Sequence, residues 1–133
     1  MITDARNKNV IPFMYAVVSA ALGANGNGQT SLTLAADSEF ELHYLLGQTS
    51  VDVDNDFMPG NFSCQVTDQS TGRSLSNIRI PQRCLVGPSN GSIFLRRPVI
   101  FPPQANLLFD FLDTSGAGCT VTLVLVGYKL FLS

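Results

Sequence analysis

Apolar residues recur at every second position through much of this chain, and that period confines it to strands. Phe40, Leu42, Tyr44 and Leu46 alternate with Glu39, Glu41, His43 and Leu45, and Phe62, Cys64 and Val66 with Ser63, Gln65 and Thr67. Leu107, Phe109 and Phe111 alternate with Asn106, Leu108 and Asp110 in the same way. Successive side chains on a strand point to opposite faces, so each run offers one face to a core and one to water. The run from Cys119 to Leu132 differs, with Val121, Leu123, Leu125 and Phe131 on one side and Val124, Val126 and Leu130 on the other. A strand apolar on both sides lies centrally, or gives one face to a neighbouring subunit. No window shows capped helical periodicity; Ala16–Leu22 alone invites a short helix, and the Val-Ile-Pro-Phe-Met-Tyr run before it favours a strand.

Turn chemistry divides these runs. Gly23–Gly28 reads as a flexible connection, Asn90-Gly91 as a tight turn, and Ser70–Gly72 and Ser115–Gly118 as two more. Pro102-Pro103 cannot donate to a ladder, so a strand must end near Phe101. About eight strands result, over 10–19, 29–35, 38–46, 61–67, 75–80, 93–101, 106–112 and 119–131. Such a set with no helices predicts an all-β antiparallel sandwich or barrel. The uneven connections, above all the long 47–60 segment, favour Greek-key crossovers. An eight-stranded jelly roll is therefore the expected fold, ahead of an immunoglobulin-like sandwich. Residues 1–9 are polar and unpatterned and read as an extended N-terminal arm; residues 10–133 read as one domain.

Composition narrows the function. The 133 residues are 45% hydrophobic but only 14% charged, against about 25% charged in an ordinary soluble domain. Part of that apolar surplus is expected against other subunits. A net charge of −2 argues against nucleic-acid binding. No apolar run reaches the ~18–20 residues that span a bilayer, and the N-terminus shows no signal-peptide core. Cytosolic synthesis is the expectation.

The candidate chemistry is sparse. Cys64, Cys84 and Cys119 form no metal-ligand spacing and are expected as free, buried thiols. Asp52, Asp54 and Asp56 suggest calcium, but an EF-hand needs Gly where Phe57 stands and Glu where Ser63 stands. What remains is a calcium loop of another kind or a hydrated loop making Asx-turns. Glu39, Glu41 and His43 share one strand face, and could hold a metal, act as an acid–base group, or simply form a hydrated strand face or a polar subunit contact. With one histidine, no Gly-x-Ser-x-Gly elbow and no phosphate-cradling loop, no catalytic residue, metal or cofactor is expected. Arg79, Arg83, Arg96 and Arg97 lie near prolines and strand ends, where guanidinium groups suit bidentate pairing with a partner's carboxylates. Together with Arg6 and Lys8 of the arm and Val124, Val126 and Tyr128 of the last strand, they form the expected partner interface.

The segment SIFLRRPVIFPPQANLLFDFLDTSG and the following CTVTLVLVGYKLF resemble small virion structural proteins of tailed bacteriophages. The shared pattern is an Arg-Pro strand, a proline corner, an alternating strand, an Asp-Thr-Ser-Gly turn and a closing Val/Leu-rich strand. The resemblance covers residues 92–131 and rests on turn chemistry and hydrophobicity. It implies a jelly-roll capsid cement or decoration subunit on the exterior of an icosahedral head. Its partner would be the major capsid protein, and its own state a homodimer or homotrimer. Alternatives are a head-fibre, spike or tail-associated subunit of the same fold, or a sugar-binding β-sandwich. The last is weakened by the absence of tryptophan.

Overall fold

The computed structural model describes residues 2–3, 8–50, 62–81, 94–114 and 116–132, with side chains at 9–50, 62–81, 98–114 and 116–131. Among them are ten strands and no helix: β1 (Ile2–Thr3), β2 (Lys8–Val18), β3 (Asn27–Thr33), β4 (Glu39–Thr49), β5 (Phe62–Asp68), β6 (Arg73–Ser74), β7 (Ile80–Pro81), β8 (Phe94–Phe101), β9 (Asn106–Asp113) and β10 (Val121–Leu132). They form two antiparallel sheets packed into a β-sandwich. One has the order β1-β2-β10-β4-β8; the other has the order β3-β9-β5-β6, with β7 also paired to β5. From β2 to β5, and again from β8 to β10, the chain changes sheet at every connection. The pairings among β2, β3, β4, β5, β8, β9 and β10 are therefore non-local.

The period-two pattern sets the core. Phe62, Cys64 and Val66 from β5 and Leu107, Phe109 and Phe111 from β9 meet Val17, Phe40, Leu42, Val121, Leu123 and Leu125 of the other sheet, all buried. Phe109 and Phe111 stack at 6.2 Å, and Phe62 meets Phe111 edge-on at 6.1 Å. Buried aromatic pairs of this kind add about 0.5–1.5 kcal/mol beyond their burial.

The alternation expected through β4 does not hold to its end. Phe40 and Leu42 are buried, but so are Leu45 and Thr49, while Leu46 is exposed. The cause is a β-bulge: Val126 lies opposite Tyr44 but Gly127 lies opposite Leu42, leaving His43 as the extra residue. One inserted residue shifts every later side chain to the other face. Gly127 makes the bulge possible. A Cβ there would overlap the Glu41 carbonyl oxygen and stand 2.9 Å from its carbon and 3.2 Å from Leu42 Cα.

The strand expected over 75–80 is also absent as such. Residues 75–78 are bends and Ile80 belongs to the short β7; beside one backbone bond, from Leu75 N–H to the Val66 carbonyl at 2.9 Å, side-chain bonds hold the segment. Gln65 Nε2 donates to the Ser76 carbonyl at 2.9 Å, and Ser76 Oγ to the Ile78 carbonyl at 2.6 Å. At the N-terminus, Ile2 and Thr3 pair with Val10 and Asn9, so part of the expected arm lies along the sheet edge. Residues 1 and 4–7 lie outside the described part.

At one end of the sandwich a buried carboxylate joins two loops. Asp113 Oδ2 accepts from the backbone N–H of Asn25 at 2.9 Å and of Gly118 at 3.0 Å, and Oδ1 accepts from Cys119 Sγ at 3.4 Å. The strained left-handed positions beside it, Asn25 and Gly118, are of types that tolerate positive φ.

Candidate interaction surface

The outward faces of the two sheets differ in kind. On the β3-β9-β5 sheet the register sets Gln29, Asp110 and Gln65 in one row, and Ser31, Leu108 and Thr67 in the next. Arg79 crosses this face and pairs with Asp110 at 3.1 Å. In these rows Leu108 is the one apolar residue, though Leu75 and Ile78 on the neighbouring segment are exposed, and one expected interface arginine is already engaged within the chain.

On the β2-β10-β4 sheet the rows read Val18, Thr122, Gln48; Ala16, Val124, Leu46; Met14, Val126, Tyr44; and Pro12, Tyr128, Glu41. Met14 is 62% exposed, Val18 57% and Leu46 39%, and Ile100 on β8, opposite Glu41, is 42% exposed. The bulge is what turns Leu46 outward, so it enlarges the apolar face. Among the described side chains of these rows, charge enters only at the Glu41 end, where Glu41 Oε1 meets His43 Nε2 at 2.6 Å and the imidazole stands edge-on to Tyr128 at 5.0 Å. A strand spacing of ~4.8 Å and a rise of ~3.4 Å give these rows roughly 20 by 15 Å, about 300 Å². That equals the lower range of the largest apolar patches on monomers and falls well short of the ~800 Å² per partner of a standard interface.

Of the expected interface residues, Val124, Val126 and Tyr128 lie together on this face. Arg79 lies on the opposite sheet. Lys8, Arg96 and Arg97 fall in β2 and β8, with their side chains outside the described part, as are Arg6 and Arg83 entirely. The alternation signal found the β10 members; Met14, Ala16, Val18, Leu46 and Ile100 were missed because only register brings them alongside.

The other candidates for chemistry are resolved in part. Glu41 and His43 form a pair, but among the described residues no group of three or more His, Cys, Asp or Glu side chains could hold a metal. Asp52, Asp54, Asp56 and Cys84 lie outside the described part. Cys64 and Cys119 are buried thiols. Burial, reinforced by the charge of Asp110, pushes the Cys64 thiol up to about 12, so it stays protonated and unreactive at neutral pH. No helix among the described residues is long and apolar enough to cross a membrane. No protein-family model matches the chain, and no curated protein matches it significantly.

Proposed function

We propose that this chain is a non-catalytic structural subunit of a tailed-phage virion, a cement or decoration protein that docks on the outside of the head. The observation that carries the reading is the uncharged outer face built by Met14, Ala16, Val18, Leu46, Val124 and Val126, set against a face on the other sheet with the Arg79–Asp110 pair and the Gln29 and Gln65 side chains. An amphipathic sandwich of this kind has one side for a partner and one for solvent. The head assignment is supported by the resemblance over residues 92–131. The strand orders β2-β10-β4-β8 and β3-β9-β5-β6 are what two interleaved Greek keys produce, which supports the jelly-roll form of the sandwich.

The energetics set a condition. Burying about 300 Å² on each partner at about 25 cal/mol per Å² contributes at most roughly 15 kcal/mol, and association costs roughly 4–15 kcal/mol before the ordering of side chains and the desolvation of polar groups. One face therefore holds a single copy weakly, and a shell-bound subunit needs further contacts or a linked second copy. The major capsid protein is the proposed partner, with the subunit bridging neighbouring capsid proteins against internal pressure. The test mixes heads stripped of the protein with the wild type and with Leu46→Asp, and reads occupancy by cryo-electron microscopy. Wild-type density on the outer shell, lost in the variant, is expected. No density with either protein overturns the reading.

A further inference from the structure

The open edge of β2 is the feature whose role the docking face leaves unexplained. β2 pairs along its whole length with β10, yet on its other side the short β1 meets only Val10 and Asn9. Among the described residues, nothing pairs with that side from Ile11 to Val18. Ser19 N–H donates to the Val121 carbonyl at 2.8 Å, so Ser19 directs its backbone groups at β10. Alternation then turns those of Val17, Tyr15 and Phe13 the same way, and those of Val18, Ala16 and Met14 toward the open side. Pro12 has the same parity as these three. Its missing N–H is thus on the edge side, where a proline is tolerated.

Natural sheets guard such edges with charge, above all lysine. Here the stretch from Val10 to Ala36 contains no charged residue. It includes β2 from Val10 onward, though not Lys8 at its start, and all of β3, the strands at the same open side of the two sheets. An uncharged edge of this length meets a copy of itself without repulsion, and a two-fold axis lets the same donors and acceptors serve both partners.

We propose that two copies of this chain join through β2, edge to edge and antiparallel, making one continuous sheet across a two-fold axis. Centring the pair on Ala16 sets Met14 opposite Val18 of the second copy, uses all three outward N–H groups and leaves Pro12 outside the centre. β1 bounds the open stretch at Val10. In this arrangement the outer faces of both copies lie flush, so the apolar platform doubles in area. The inference rests on the sheet edge and not on the head assignment, so either can fail alone.

The test uses the full-length protein, with mass measured by light scattering and residue-resolved hydrogen exchange at low and high protein concentration. A dimer is expected, with the amides of Met14, Ala16 and Val18 exchanging about tenfold or more slowly at high concentration while those of Phe13, Tyr15 and Val17 are slow throughout. Ala16→Lys, on an exposed position, sets two ammonium groups opposite each other and is expected to yield a folded monomer with fast exchange at 14 and 18. Gln29→Lys, on exposed β3 of the other sheet, is expected to remain dimeric. A wild-type monomer at high concentration overturns the proposal. So does a dimer whose even-numbered β2 amides exchange freely, because such a dimer uses another surface.

Discussion

Replacing Gly127 with alanine tests the most demanding contact in the fold. The added Cβ would overlap the Glu41 carbonyl oxygen, and its next neighbours, the Glu41 carbonyl carbon at 2.9 Å and Leu42 Cα at 3.2 Å, are also main chain. No flexible side-chain tip can yield, and β10 is held between β2 and β4 on both sides. Overpacking typically costs about 1–3 kcal/mol, and a backbone obstruction in a central strand places this case at about 3 kcal/mol. Removing the bulge to make room is no escape. It would return Leu45 and Thr49 to the outer face and drive Leu46 and Gln48 inward. Against a total stability of about 5–15 kcal/mol, the loss is large. With a urea slope of about 1.5 kcal/mol per molar it moves the unfolding midpoint down by about 2 M, and it lowers Tm by roughly 10 °C. Gly23→Ala is the control: nothing lies within 4 Å of its Cβ, so a change within about 0.5 kcal/mol is expected. If the two variants unfold at the same urea concentration, the bulge does not depend on Gly127 and the account of the outer face fails with it.

Other outcomes follow from the same structure. Asp113→Ala strips the acceptor from the Asn25 and Gly118 amides; a loss of about 2–4 kcal/mol in urea unfolding is expected, with faster amide exchange at those two residues. Because the Cys64 thiol is raised to about 12 in the fold from an ordinary 9.0, the unfolded chain releases that proton first. Stability from this group is therefore complete below about pH 9 and falls by about 1.4 kcal/mol per pH unit between about 9 and about 12. Comparing the alkaline unfolding of the wild type with Cys64→Ala isolates that slope, and iodoacetamide should label Cys64 only after unfolding. Leu46→Asp, on an exposed outer-face position, should leave the urea midpoint within about 0.5 kcal/mol while abolishing attachment to heads. Equal attachment by variant and wild type would place the docking surface elsewhere.

The all-β class was legible because period two is a local property. In β9, Leu107, Phe109 and Phe111 declare their face within a few residues, and so do Phe62, Cys64 and Val66 in β5. Turn chemistry at Pro102-Pro103 and Ser70–Gly72 punctuated the strands close to their observed ends. Two local readings failed for reasons that lie elsewhere in the chain. The faces of β4 switch at His43 because Gly127, distant in sequence, lets the backbone of Glu41 come close. Residues 75–79, between β6 and β7, bend instead of continuing one strand, and there Gln65 and Asp110, on β5 and β9, capture Ser76 and Arg79.

The interaction surface divides in the same way. Sequence alone marked β10 as apolar on both sides, because Val124 and Val126 stand between core residues. Which strands flank β10, and hence that Met14, Ala16, Val18 and Leu46 complete one outer face, is decided by register. So is the open side of β2. Strand pairing joins residues far apart in the chain, and alternation says only that a side chain has a face. Which face meets a neighbour, and which backbone groups are left over, is settled when the sheets close on their shared core.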